Sequence, residues 1–140
     1  MDKRTYLAIF EPADADEGGG YTVTFPDVPG CITEGDTLDE AMHHAKEALE
    51  LQLWGLEHDG DILPTPSRPE QIALPTGAIV VPIDAWMDLT REEMAHQSVN
   101  TMVTLPRWLK EMAMDRRINF SHVLQQAVKE RLGLADKSQP

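Results

Sequence analysis

The sequence predicts an α+β protein in two parts, a sheet-and-helix body followed by a smaller strand-helix-helix tail. Three observations carry this. Aromatic and β-branched runs separated by turn residues crowd the first third, one long amphipathic stretch follows them, and the formal charge changes sign near Ser98. From Ser98 onward the chain is net +3, which leaves −15 on the remainder of a chain whose total is −12. A basic module on an acidic body suggests two partners of opposite charge, a polyanion and a cation-rich molecule. The expected division is a body over residues 1–84, a polar connector over 85–97 and a tail over 98–140.

In the body, Tyr6-Leu-Ala-Ile-Phe10 and Tyr21-Thr-Val-Thr-Phe25 read as a β-hairpin around the acidic, glycine-rich loop from Asp14 to Gly20. Pro26, Pro29 and Gly30 stop the second strand. Cys31-Ile-Thr33 is long enough only for an edge strand or a bend. Thr37-Leu-Asp-Glu40 is a capping box, in which hydroxyl and carboxylate satisfy two orphan backbone N–H groups. Behind it Leu38, Ala41, Met42, Ala45, Ala48, Leu49, Leu53 and Leu56 recur at helical spacing, so one face of a long helix packs on the hairpin. Gly60 ends that helix, and Pro64, Pro66, Pro69 and Pro75 keep the next stretch irregular. Ala78-Ile-Val-Val81 is a continuous apolar run of the kind found in a strand covered on both faces. In the connector, Thr90-Arg-Glu-Glu93 has the form of a second capping box and marks a short helical piece.

The tail opens with Val99-Asn-Thr-Met-Val-Thr-Leu105, where Val99, Thr101, Val103 and Leu105 alternate with Asn100, Met102 and Thr104. Pro106 suits the first turn of a helix carrying Leu109, Met112 and Ala113, with Arg116 and Arg117 near its final carbonyls. Asn119 is a good N-cap for a second helix with Phe120, Val123, Leu124, Ala127, Val128 and Leu132 on one side, ended by Gly133. About 43 residues bury too little surface to be stable alone, and with Cys31 as the single cysteine no internal disulfide can help. The lone strand also lacks a ladder partner. Pairing with the same strand of a second copy resolves both problems.

Asn100-Thr-Met-Val-Thr-Leu-Pro106 with two helices behind it resembles the ribbon-helix-helix repressors. That resemblance implies a homodimer, with a possible further pairing into tetramers, whose two-stranded ribbon reads operator DNA in the major groove. The readers would be Asn100, Met102 and Thr104, and the backbone at Asn119, Phe120 and Ser121 would meet a phosphate. Asn100 stands where many members carry a basic residue, so adenine rather than guanine is the expected contact.

Gly19-Gly-Tyr-Thr-Val-Thr-Phe-Pro-Asp-Val-Pro-Gly-Cys-Ile-Thr-Glu-Gly-Asp-Thr37, followed by Glu40-Ala41 and Glu47-Ala-Leu49, resembles the HicB antitoxins of bacterial toxin–antitoxin pairs. The resemblance runs from about Tyr6 to Ile83. It implies a partial ribonuclease H-like ββ(β)αβ fold without nuclease activity, a HicA-type mRNA-cleaving toxin as protein partner, and repression of the chain's own operon. Charge supplies an independent reason, because a toxin built to hold RNA phosphates presents cations that an acidic body attracts. Glu11, Asp14, Asp16 and Glu17 near the hairpin are the candidate toxin contacts.

The same residues admit other function classes. His43, His44, His58 and Cys31 invite a metal site, but adjacent helical residues do not share a face, and His43 with Glu47 reads more simply as an exposed i,i+4 pair. The surplus carboxylates would allow two-metal nuclease chemistry, yet nothing in the sequence gathers three of them at one point. The expectation is therefore no enzyme, no metal and no cofactor. A ligand- or metal-sensing repressor and a metal-dependent nuclease stand as the alternatives. No apolar run approaches ~18 residues and no charged-then-apolar leader opens the chain, so a cytoplasmic protein is expected.

Overall fold

The computed structural model describes residues 1–134, so 135–140 and the side chain of Glu17 lie outside the described residues. The chain forms two compact units, Met1–Ser98 and Val99–Pro140.

The first unit holds strands β1 (Lys3–Pro12), β2 (Tyr21–Thr24) and β3 (Ile32–Gly35), helix α1 (Leu38–His58), strand β4 (Ile79–Trp86) and helix α2 (Met87–His96). The four strands form one antiparallel sheet in the order β3-β2-β1-β4. Tyr6, Ala8, Phe10, Val23, Ile83 and Ala85 point from the sheet toward Ala41, Ala45, Leu49 and Leu53 of α1, and all ten are buried in one cluster. The apolar stripe of α1 is narrower than its sequence suggests, since Leu38 and Met42 are exposed.

Local chemistry explains where α1 starts and stops. Thr37 Oγ1 accepts the Glu40 N–H at 3.1 Å, while the Glu40 carboxylate accepts the N–H of Asp36 at 3.2 Å, one residue earlier than the usual box. At the other end Gly60 sits in the left-handed region at φ 79°, and the Asp61 N–H returns to the Leu56 carbonyl at 2.9 Å. The entry of α1 lies hard against β3. A Cβ on Gly35 would stand 2.4 Å from the Ala41 nitrogen, so only glycine fits there.

Two sequence expectations change here. Residues 85–97 are not a connector: they complete β4 and form α2, which belongs to the first unit. Met87 is fully buried, and Thr90, expected to cap a helix, lies inside one and donates to the Trp86 carbonyl at 2.9 Å. Arg91 then ties α2 to Asp2 at 2.6 Å and to Glu57 at 2.8 Å. The run from Ala78 to Val81, expected to be covered on both faces, instead enters β4 at the edge of the sheet. Only the α1 side of that strand is covered, because α1 is the single helix packed broadly on the sheet.

Both sheet edges are blunted by side chains of α1. On β4 the outward N–H of Trp86 is taken by the Glu50 carboxylate at 3.1 Å, and Pro82, in the same phase, has no N–H to offer. On β3 the His44 Nδ1–H donates to the Glu34 carbonyl at 2.7 Å. The proline-rich stretch after α1 is irregular apart from a 3-10 turn at Pro69–Gln71. It is held where Tyr6 Oη donates to the Pro64 carbonyl at 2.5 Å and where Asp27 accepts both the N–H and the hydroxyl of Ser67.

In the second unit residues 99–105 carry no regular structure within the single chain, and helices α3 (Arg107–Asp115) and α4 (Phe120–Arg131) follow. Pro106 directly precedes α3. The Asn119 side chain accepts the His122 N–H at 3.1 Å and caps α4, which ends at Gly133 with φ 73°. Between the helices Arg117 occupies the left-handed region at φ 55°. Among the described residues no helix is long and apolar enough to cross a membrane.

Candidate protein and nucleic-acid interfaces

The second unit is short of interior. Ala113 is its one buried side chain among the described residues. Val99 is 81% exposed, and Val103, Leu105, Val123, Leu124 and Val128 are exposed as well. Thr101, Val103 and Leu105 line an apolar cleft of about 270 Å³ with Phe120, Val123 and Leu124. Thr101, Val103 and Leu105 thus face α4, while Val99 does not reach the cleft.

Met102 and Thr104 border an adjoining cleft with Lys110 and Phe120. Asn100, Met102 and Thr104 are exposed, Met102 at 94%. Asn119 commits its side-chain oxygen to capping α4, so what this end of the helix offers a ligand is backbone N–H groups. The Phe120 ring joins the apolar cleft, and Ser121 stands on its rim.

In the first unit the acidic candidates are spread along the hairpin. Glu11 is exposed near the end of β1, and Asp14 and Asp16 are exposed around the 3-10 turn Ala15–Glu17. The sheet register adds an acid that the sequence does not disclose: Glu11 lies opposite Thr22, and Thr22 opposite Glu34. Among the described residues neither Glu11 nor Glu34 forms an ion pair through its carboxylate, whereas Arg4, Lys46, Arg68 and Arg91 are each engaged by other acids.

The titratable groups singled out for chemistry do not converge. Burial pushes the Cys31 thiol up to about 11, so it is a small apolar filler and a poor nucleophile. His43 pairs with Glu47 at 2.8 Å on the exposed side of α1, and the His58 ring stacks on Trp54 at 4.8 Å. Among the described residues no three His, Cys, Asp or Glu side chains gather as metal ligands would.

The chain is similar to a 14.9 kDa protein of Haemophilus phage HP1, 50% identical over 52 residues that make up 37% of this chain and 39% of that one. It is similar also to the antitoxin HicB 1 of Photorhabdus laumondii, 34% identical over 98 residues, 66% of this chain and 61% of that one. The chain therefore spans less than two thirds of the length of either relative. A solved toxin–antitoxin complex from Streptococcus pneumoniae contains a chain of the same fold, with a TM-score of 0.62 at 21% identity, covering 93% of this chain and 99% of that one. Residues 6–128 match the family model described as the HicB_like antitoxin of bacterial toxin-antitoxin system. A match across both units, on a sheet-and-helix body with a two-helix tail, means that the chain belongs to this HicB-like antitoxin family.

Proposed function

We propose that the chain neutralises a HicA-type mRNA-cleaving toxin by covering its active surface with the acidic body, and that paired tails bind operator DNA and repress the chain's own operon. This is a binding protein and not an enzyme, acting in the cytoplasm where mRNA and operator meet. Family membership and a body of net −15 support the first half. Glu11, Asp14 and Asp16, with Glu17 beside them in sequence, are the proposed toxin contacts. The element order β1-β2-β3-α1-β4 is read as the partial ribonuclease H-like fold that the resemblance implies.

The observation that carries the second half is the unfilled interior of the tail. A two-stranded antiparallel ribbon made from residues 99–105 of two copies would satisfy its backbone groups. The same pairing would bury Val103, Leu105 and Leu124, each now in water. In that ribbon-helix-helix dimer Asn100, Met102 and Thr104 face outward to base edges, and the N–H groups at Asn119, Phe120 and Ser121 point at a phosphate.

The test is light scattering and operator binding of the full-length chain, with DNA from upstream of its own gene. A dimer, or a tetramer of twice that mass, should bind that DNA. Asn100→Ala and Thr104→Ala should each weaken binding by about 1–3 kcal/mol without loss of the dimer. A monomer, or a double variant that binds like the parent, would overturn the ribbon as reader.

A further inference from the structure

The face of the sheet turned away from α1 is composed like an interface. Register sorts its side chains into rows. Glu11, Thr22 and Glu34 form an acidic row, and next to it Val80, Ile9, Thr24 and Ile32 form a largely apolar one. Leu7 and Pro82 extend the apolar band by a further pair. An antiparallel sheet with one face in water normally alternates apolar with polar residues. Here the central stretches of β1 and β4 are apolar on both faces, Leu7 and Ile9 interleaving with Tyr6, Ala8 and Phe10, and Val80 and Pro82 with Val81 and Ile83, while Thr5 and Asp84 close the band at its polar end. Ile9 is only 8% exposed, shielded by its neighbours, while Ile32 is 65% exposed.

We propose that this open sheet face is the surface that receives the toxin, and that it recognises a protein patch of apolar side chains bordered by lysine or arginine. The proposal rests on the antitoxin reading above and assigns that function a place. Charge selects the occupant. A second copy of the body would bring −15 against −15 and set one acidic row against another, whereas a basic protein would find Glu11 and Glu34 without ion pairs among the described residues. Geometry selects the manner of docking. With Pro82 and the Glu50 carboxylate on one edge and His44 on the other, adding a strand is disfavoured, and the partner lies across the face.

The experiment measures binding of the full-length chain to the HicA-type protein encoded with it, using a catalytically inactive variant of that toxin. Ile32→Glu removes exposed apolar surface without adding a cation, and Glu11→Lys with Glu34→Lys reverses the acidic row. Each should weaken binding at least tenfold, and the double-Lys variant should lose most of the salt dependence of association. Unchanged thermal midpoints would separate lost contact from lost folding. Leu51→Glu, on the exposed side of α1, serves as the comparison and should bind like the parent. If Ile32→Glu and the double-Lys variant bind normally while the parent binds tightly, the face is not the site and the antitoxin function stands. If the parent fails to bind, the antitoxin reading falls and the face falls with it.

Discussion

Fourteen side chains of the body close into one buried cluster, whereas the tail, a little under half as long, buries Ala113 alone among its described residues. Both use amphipathic helices with good caps, so secondary structure does not separate them. Long-range pairing does. The body brings strands distant in sequence into one sheet and lays α1 across them, which removes apolar surface from water within a single chain. The tail has two helices and a segment that pairs with no strand among the described residues, so its apolar surface stays exposed. On the proposed pairing, one chain relies on two sources of stability, an internal core and mass action.

Mutations should separate the two. The largest effect is expected from Val103→Asp, which would place a charge in the paired core of the tails. Light scattering should then find monomers with no operator binding, while the melting transition of the body stays where it was. The converse is Leu49→Ala. Leu49 is fully buried on α1, and its truncation should cost the body about 2–5 kcal/mol by denaturant titration and leave tail pairing intact. Gly35→Ala forces a Cβ into the backbone of α1 and should cost about 1–3 kcal/mol, again in the body alone.

Smaller changes sharpen the contrast further. Tyr6→Phe removes the hydroxyl that donates to Pro64 and should lower body stability by about 0.5–1.5 kcal/mol. The smallest effect should come with acid. The Arg91 guanidinium hydrogen-bonded to Asp2 holds that carboxyl below its usual 3.8. A carboxylate with a lowered folded value stabilises at neutral pH and loses that contribution as the pH falls past 3.8 through the lowered value. Asp2→Asn should therefore flatten the acid limb of the body's stability curve and leave the neutral plateau slightly lower.

What could be read from the sequence was local. The Thr37 cap, the Gly60 stop, the hairpin around Asp14 to Gly20 and the Asn119 cap each depend on neighbours within a few residues, and each formed. What escaped depends on distant partners. Residues 85–97 read as a connector with a short helical piece, and their attachment to the body escaped because Arg91 is anchored by Asp2 and Glu57, 89 and 34 positions away. Glu34 gains its place beside Glu11 only through a register running across three strands. The third strand lies at Ile32–Gly35, a little beyond the expected Cys31–Thr33, because Cys31 turns inward to the core. The apolar run from Ala78 to Val81 was informative in another way. Its pattern calls for two covered faces, and a single chain covers one.

Arg117 sets the turn between α3 and α4. Its left-handed backbone would be free of strain in a glycine and costs an arginine about 1–2 kcal/mol. Arg117 stands just past the end of α3, where the final carbonyls attract a cation. For a unit with one buried side chain such a penalty is a large share of what holds it folded, so an unpaired tail should open often enough for a protease to cut it. The proposed pairing would close that route. Arg117 would then help set the lifetime of a chain that has not yet met its second copy, and limited proteolysis of dilute against concentrated protein, with Arg117→Gly beside the parent, would measure that lifetime directly.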